Sequence, residues 1–290
     1  MAGEPRYRHG VTTMVAVGPM TGNISAQTAV DLIALAHRLA DAARPVTLRH
    51  FRNGTVVDTK YKAGVRFDPV TEADRAAEQV MREMIAQARP DDGILGEEFG
   101  TLAGTSGLTW VLDPIDGTRG FISGTPTWGI LISVADADGP RFGLIDQPYI
   151  GERFEGGFGR ARVVGPMGEH VLRTRAARDL SEAILLSTFP EVGTLAERAA
   201  FLAVSEQVQL TRYGMDCYGY ALLAAGQVDL VIEAGLLPYD VHAPIAVITA
   251  AGGIVTNWQG GPAHDGGRVL AAANAQIHAQ ALAVLSRADV

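Results

Sequence analysis

The 290-residue sequence contains a single cysteine, Cys217, so no internal disulfide can form. Basic residues are also in the minority, because 24 Lys and Arg stand against 32 Asp and Glu and give a formal net charge of -8. A surface of this sign does not attract nucleic acid or an acidic membrane through bulk electrostatics. An anionic substrate would therefore need a local positive centre.

The sequence also lacks a long, uninterrupted apolar run. The longest charge-poor segment, 243–264, is broken by Gly252, Gly253, Asn257 and a Gly-Gly-Pro turn, which argues against a membrane span. The first residues contain no continuous apolar block of the kind found in a secretory signal. A single cysteine is typical of a reducing compartment, and together these features predict a cytoplasmic protein.

What the chain does contain is 47% hydrophobic residues, enough to fill a substantial core. Apolar residues at helical spacing predict one helix from Ser25 to about Arg44, bent at or continued past Pro45, and a second helix capped by Thr71. Short apolar runs bounded by Gly, Pro and Asp then predict strands at 94–95, 110–112, 130–134, 142–145 and 154–158. The first half is predicted to place two helices on an antiparallel-rich sheet.

From about residue 183 the pattern changes to alternating strands and helices. Strands are predicted at 184–186 and 228–232, and helices at 195–204, 219–225, 240–251 and 274–285. This alternation is typical of α/β layering. The chain is thus divided into a flexible extension at 1–24, an N-terminal α+β lobe at 25–172 and a C-terminal α/β lobe at 173–290, with the charged segment 173–179 as a hinge.

The sharpest chemical signal is the sequence DPIDGT at 113–118, which follows the apolar run 110–112. Pro114 stiffens the turn, so that the carboxylates of Asp113 and Asp116 can converge on one point. Mg²⁺ prefers oxygen ligands, and these two carboxylates together with the carbonyl of Ile115 supply them. The turn is therefore a candidate metal site.

The same turn continues into a candidate phosphate site. Gly117 allows a close approach of the backbone, and its amide and that of Thr118 could open a short helix whose N-terminus binds phosphate. The competing interpretation is a solvated turn, because Asp-Pro and Asp-Gly pairs also favour one.

Three more acidic residues could complete a cation site. Glu97 follows the predicted strand 94–95, Asp74 lies in the first turn of the second helix, and Asp240 opens a later helix. Each also has an ordinary structural explanation. Glu97 could be a surface glutamate, whereas Asp74 and Asp240 are acids at helix starts, where the macrodipole favours them.

In order, spacing and flanking residues, these motifs resemble those of the inositol monophosphatase superfamily from about residue 26 to the end of the chain. The resemblance implies an α-β-α-β-α sandwich of two lobes with the site between them, usually as a homodimer, and two or three Mg²⁺ ions per site. The implied metal ligands are Glu97, Asp113, the Ile115 carbonyl, Asp116, Asp240 and, for the weakest ion, Asp74.

The resemblance also implies catalytic roles. Glu97 and Thr118 would orient the attacking water, the Gly117 amide and Thr118 would contact phosphate, and Asp74 would act through the weakest ion. One departure is Tyr239, which stands where a Trp commonly precedes the late Asp and so changes the wall of the pocket.

Within the superfamily, GTRGFISG at 117–124, PTWG at 126–129 and DCYGY at 216–220 are similar to the histidinol-phosphate phosphatase branch. Histidinol phosphate carries a cationic amine and an imidazole, which carboxylates can bind through charge-assisted hydrogen bonds. Asp216 and Glu233 are the candidates, although Asp216 could instead be a helix cap. Arg119 is a further substrate-binding candidate without a catalytic role, and it could instead pair with a carboxylate.

The implied reaction is the hydrolysis of a small phosphate monoester by water that Mg²⁺ activates. Covalent catalysis through Cys217 or Ser123 is disfavoured, because neither lies in a nucleophile elbow or a phosphate-cradling Cys-x5-Arg loop. Two alternatives stay open. The substrate could be inositol phosphate, another sugar phosphate or a nucleotide 3',5'-bisphosphate, or the chain could be a non-catalytic metabolite-binding protein.

Overall fold

The computed structural model describes residues 24–53, 57–60 and 68–286. The extension predicted at 1–24 lies outside this part of the chain, apart from residue 24. Within the described ranges, no helix combines the length and the apolar character needed to cross a membrane.

The N-terminal half builds a large sheet flanked by two helices. Its helices are α1 (Ala26–His50), α2 (Glu72–Ala88) and the short α3 (Thr118–Ser123), and β1 (Val57–Lys60) pairs with β2 (Asp68–Thr71) as a separate ribbon. The sheet contains β3 (Gly93–Gly96), β4 (Gly100–Leu102), β5 (Thr109–Asp116), β6 (Gly129–Asp136), β7 (Gly139–Gln147), β8 (Glu152–Gly157), β9 (Arg160–Gly165) and β10 (Gly168–Val171). Their order is β10-β9-β8-β7-β6-β5-β3-β4, and only the β3–β5 pair is parallel among these described strands.

Helix α1 continues past Pro45, one of the two outcomes predicted for it. The Ser25 hydroxyl caps its start by accepting a hydrogen bond from the Thr28 amide at 3.0 Å, as expected. The helix then runs through Pro45 to His50, so the predicted continuation past the proline is present. Proline removes the one backbone donor that would serve the Asp41 carbonyl, and just beyond it the Thr47 hydroxyl donates to the Arg44 carbonyl at 3.0 Å.

The C-terminal half builds a smaller mixed sheet. Its strands are β11 (Ile184–Ser187), β12 (Leu210–Tyr213), β13 (Leu230–Leu236), β14 (Ile254–Thr256) and β15 (Gly267–Ala272), in the order β12-β11-β13-β15-β14. Its helices are α4 (Leu195–Ser205), α5 (Asp216–Ala224), α6 (Pro238–Ala250) and α7 (Ala275–Leu285). The predicted alternation is present, with α5 starting at Asp216 instead of Gly219 and β13 extending past residue 232.

The alternation of side chains along the strands sorts the core into layers. In β6, Ile130 and Ile132 pack in one cluster with α1 and α2, whereas Leu131 packs in another with α5 and α6. In β13, Val231 joins the α5 and α6 cluster, whereas Leu230 packs with α4 and α7. These layers confirm the predicted α-β-α-β-α sandwich, and the lobe boundary at 172/173 stays a prediction.

Candidate active site

The candidate active site begins at the end of β5. The pairing of β5 with β6 shifts register between Asp113 and Asp116, which marks a β-bulge around Pro114. Proline has no N–H to give to a strand ladder, so a bulge is where it can be accommodated. Within the bulge, the Ile115 amide donates a hydrogen bond to Asp113 Oδ1 at 3.0 Å. This local geometry sets the direction of both carboxylates.

Three carboxylates converge at this point. Oxygen atoms of Asp113, Asp116 and Asp240 lie within 4.8 Å of one another. Asp240 comes from the first turn of α6, where its Oδ2 accepts a hydrogen bond from the Leu237 amide at 2.7 Å. Helix capping and membership of the acidic cluster are therefore compatible, and the two predictions for Asp240 do not exclude each other.

The cluster concentrates negative charge away from water. Burial is the main cause that raises the pKa of Asp113 well above its usual value, followed by repulsion from Glu97 and Asp116. Burial and then the charge of Asp240 raise the pKa of Asp116 in the same way. A bound divalent cation would neutralise this repulsion, and carboxylate oxygens are the ligands that hard cations prefer.

Glu97 reaches the same edge from the neighbouring parallel strand. Gly96 in β3 pairs with Leu112 in β5, so Glu97 and Asp113 are the next residues on adjacent strands. The Glu97 amide donates to the Leu112 carbonyl at 3.2 Å. Glu97 is not one of the three tightly grouped carboxylates, although its charge acts on Asp113.

Asp74 offers a buried oxygen beside this edge. Its Oδ2 accepts hydrogen bonds from the amide of Thr71, at 2.8 Å, and from the Thr71 hydroxyl, which confirms the predicted cap of α2. Its Oδ1 is buried and has no hydrogen-bond partner among the described residues. Burial raises the pKa of Asp74 to about 7, and the charges of Glu98 and Glu97 add to the shift. An orphaned carboxylate oxygen of this kind fits a cation ligand.

The predicted phosphate-binding turn forms the short helix α3. Gly117 caps it with a left-handed φ of 83°. The Thr118 hydroxyl donates to the Ile115 carbonyl at 3.1 Å, so two of the residues predicted to bind ligands are joined by a hydrogen bond. The roles of Gly117, Thr118 and the Ile115 carbonyl towards phosphate and metal stay predictions.

A cavity of about 250 Å³ opens next to the acidic cluster. Its walls come from both halves of the chain. They are formed by Asp116, Gly117, Thr118, Arg119, Thr188, Phe189, Asp216, Cys217, Tyr220, Glu233, Ala234, Gly235, Leu236 and Asp240.

Asp216 lines this cavity and is not the cap of its helix. The N-cap position belongs to Met215, and Asp216 is the first helical residue, with a φ of 46°. Its Oδ2 accepts a hydrogen bond from the Thr127 hydroxyl at 2.9 Å. Burial raises the pKa of Asp216, although the Thr127 hydrogen bond and the charge of Arg119 oppose the shift.

Glu233 lines the cavity from β13. Its Oε1 accepts hydrogen bonds from the Thr188 amide at 3.0 Å and the Thr188 hydroxyl at 2.7 Å. Burial raises the pKa of Glu233 to about 8 despite these bonds, and the charge of Asp216 contributes to the rise. Arg119, the third predicted substrate-binding residue, places its guanidinium carbon 4.6 Å from the centre of the Phe189 ring. All three candidates therefore border one space.

The cavity also contains residues to which the sequence analysis gave no role. Thr188, Phe189 and Tyr220 belong to this set. Only Tyr220 had a signal in the sequence, since it follows Asp216 by four positions and so lies on the same helical face. Cys217 is buried, and burial followed by the charge of Asp116 raises the pKa of its thiol, which agrees with the prediction against a cysteine nucleophile.

The layered fold and the carboxylate-lined cavity define a metal-dependent phosphatase. The chain belongs to the inositol monophosphatase family, which it matches over residues 29–289. It is 40% identical over 260 residues to the chloroplastic bifunctional phosphatase IMPL2 of Arabidopsis thaliana, covering 86% of this chain and 73% of that protein. It is 36% identical over 268 residues to a histidinol-phosphatase of Streptomyces coelicolor, covering 89% of this chain and 98% of the relative.

Solved structures agree with this membership. An inositol monophosphatase from Zymomonas mobilis superimposes with a TM-score of 0.79 and 38% sequence identity, covering 90% of this chain and 99% of that structure. The predicted family and fold are thereby confirmed.

Proposed function

We propose that the protein is a Mg²⁺-dependent histidinol-phosphate phosphatase, which converts L-histidinol phosphate and water into L-histidinol and phosphate. The observation that carries this proposal is a second pair of carboxylates, Asp216 and Glu233, in the cavity beside the acidic cluster. The name of the Streptomyces coelicolor relative, a histidinol-phosphatase, supports it.

The two carboxylates suit a cationic substrate better than a polyol. When both groups are ionised, Asp216 and Glu233 repel each other, and this repulsion contributes to the raised pKa of Glu233. An ammonium group or a protonated imidazole would relieve that repulsion and form charge-assisted hydrogen bonds. The neutral hydroxyls of a polyol would not relieve this repulsion. The free-energy cost of removing both carboxylates from water would then stay uncompensated.

The remaining residues have two proposed functions, which are metal binding and the positioning of phosphate and water. Glu97, Asp113, Asp116, Asp240, Asp74 and the Ile115 carbonyl would hold two or three Mg²⁺ ions. When bound, Mg²⁺ would lower the pKa of water and neutralise charge on the phosphate.

The Gly117 amide and the Thr118 hydroxyl would fix the phosphate, and Glu97 would orient the attacking water together with Thr118. Because the Thr118 hydroxyl already donates to the Ile115 carbonyl, its position is set before substrate arrives. The chain itself thus contributes positioning and electrostatic stabilisation.

The proposal is tested with a panel of phosphate monoesters assayed with Mg²⁺ and with a chelator. We expect the highest kcat/KM for L-histidinol phosphate and no turnover without the metal. A preference for myo-inositol 1-phosphate or for a nucleoside 3',5'-bisphosphate would refute the substrate while retaining the chemistry. Binding of these esters without turnover would indicate a metabolite-binding protein instead.

A further inference from the structure

The Tyr220 hydroxyl is a buried donor without an acceptor. Tyr220 is only 4% exposed, and its hydroxyl has no hydrogen-bond partner among the described residues. Leaving such a group unpaired away from water lowers the stability of the folded state. Native structures retain few such groups, and each calls for an explanation.

The position of Tyr220 indicates where the missing acceptor comes from. Tyr220 lines the cavity beside the acidic cluster. The charged groups that act most strongly on its hydroxyl are, in order, Glu233, Asp116 and Asp240, and all three line the same cavity. Tyr220 therefore lines the same cavity as Glu233, which we assign to the organic part of the substrate.

The other hydroxyl groups that line the cavity already donate hydrogen bonds to protein acceptors. The Thr118 hydroxyl donates to the Ile115 carbonyl and the Thr188 hydroxyl donates to Glu233. Among the described residues that line the cavity, Tyr220 therefore contributes the one hydroxyl donor with no protein acceptor. Burial, followed by the charge of Glu233, also raises the pKa of Tyr220, so its proton stays in place as a donor.

We propose that Tyr220 is a specificity-determining residue whose hydroxyl donates a hydrogen bond to the unprotonated ring nitrogen of the substrate's imidazole, while Glu233 accepts from the other ring N–H. This inference rests on the proposed function and adds to it a residue and a protonation state. A neutral imidazole has one donor and one acceptor nitrogen. A hydroxyl donor beside a carboxylate acceptor matches that pair, and Asp216 is left for the amine.

The test is Tyr220→Phe, which removes the hydroxyl and keeps the ring. We expect kcat/KM for L-histidinol phosphate to fall by about 5- to 100-fold, because an imidazole nitrogen loses its donor. The melting temperature should stay the same or rise, since the variant deletes an unsatisfied buried group. A structural role for the hydroxyl would lower it instead.

The matched control is Tyr218→Phe in the same helix. The Tyr218 hydroxyl donates to Glu152 Oε2 at 2.8 Å and Tyr218 does not line the cavity. This variant should keep wild-type kcat/KM and lose some thermal stability. L-Phenylalaninol phosphate is the matched substrate, because its phenyl ring has no nitrogen, and wild type and Tyr220→Phe should act on it to the same extent.

The outcomes separate the two proposals. A loss on L-histidinol phosphate of less than about threefold, or an equal loss on both esters, would overturn the role of Tyr220 alone. Absence of any wild-type turnover of L-histidinol phosphate would overturn the proposed function and this inference with it.

Discussion

Gly117 and Asp216 approach so closely that a Cβ atom on Gly117 would lie 2.7 Å from both Cβ and Cγ of Asp216. Gly117 follows β5 in the N-terminal half, and Asp216 opens α5 in the C-terminal half. Glycine is needed here twice, for its φ of 83° and for the absence of a side chain. The contact joins the turn predicted to bind phosphate to the carboxylate predicted to select the substrate.

Gly117→Ala is therefore expected to reduce kcat/KM by about 100-fold or more, because the new methyl group must displace Asp216 or the turn itself. Steady-state kinetics with L-histidinol phosphate measures the loss. Thermal unfolding reports how much of it reflects destabilisation.

The control is Gly107→Ala. Gly107 has the same φ of 83°, yet a Cβ there would meet no atom within 4 Å. This variant should lose about 1 kcal/mol or slightly more of stability from backbone strain and keep its activity. Equal effects of the two substitutions on kcat/KM would show that strain, and not the contact with Asp216, is responsible.

The sequence predicted the parts of the site that short-range chemistry determines. The cap formed by Thr71 and Asp74 and the turn at 113–118 each depend on residues within a few positions of one another, so one sequence is enough to recognise them. The layered architecture followed from the alternation of apolar runs together with the family resemblance.

Contacts between distant segments were not predictable in the same way. Thr127 meets Asp216, and Thr188 meets Glu233, only because the fold brings separate strands together. The sequence analysis also missed β1, β2, β4, β9, β10, β12, β14 and β15. Of these, β4 and β10 are fully exposed and β12 is largely so, and none of the three shows an alternating apolar pattern. The role of Tyr220 was not predictable for another reason, because only the structure shows that its hydroxyl has no hydrogen-bond partner among the described residues.

Asp216→Asn should impair the use of a cationic substrate selectively. Asparagine keeps an oxygen for the Thr127 hydroxyl and loses only the negative charge, so the local geometry is retained. We expect kcat/KM for L-histidinol phosphate to fall by about 10- to 100-fold, as for a lost charge-assisted hydrogen bond. The loss on 4-nitrophenyl phosphate, which carries no cation, should be much smaller. An equal loss on both esters would remove Asp216 from the selectivity determinants.

The variant Asp113→Asn should distinguish a role of Asp113 in metal binding from a role in folding. Asparagine can still accept the hydrogen bond from the Ile115 amide through its Oδ1. Loss of one charge from the cluster should lower kcat/KM by at least about 1000-fold, because the cation site is incomplete. The metal-free variant should melt at the same or a higher temperature than the metal-free wild type, since Asp113 is repelled by its neighbours.

A suitable comparison is Asp229→Asn, at a buried carboxylate outside the site. Asp229 Oδ2 accepts hydrogen bonds from Arg175 and from the Ile184 amide. That substitution should lower the melting temperature and leave the stabilisation by Mg²⁺ unchanged. If Asp113→Asn behaved in the same way, Asp113 would have a structural role and not a metal-binding one.

The stability of the metal-free protein should fall as the pH rises. Burial raises the pKa of Asp74 to about 7 and that of Glu233 to about 8, well above the values usual for carboxyl groups. Between about pH 4 and about pH 8 the folded state therefore holds protons that the unfolded chain has released, and the free energy of unfolding decreases with pH.

Mg²⁺ should reverse this trend, because it binds the deprotonated carboxylates and its binding releases protons. Melting temperatures measured with a chelator and with saturating Mg²⁺ should differ more at about pH 8 than at about pH 5.5. Asp74→Asn removes one of the titrating groups, so it should flatten the decline of the metal-free protein. If Mg²⁺ raised the melting temperature equally at both pH values, the buried carboxylates would not be the groups that bind it.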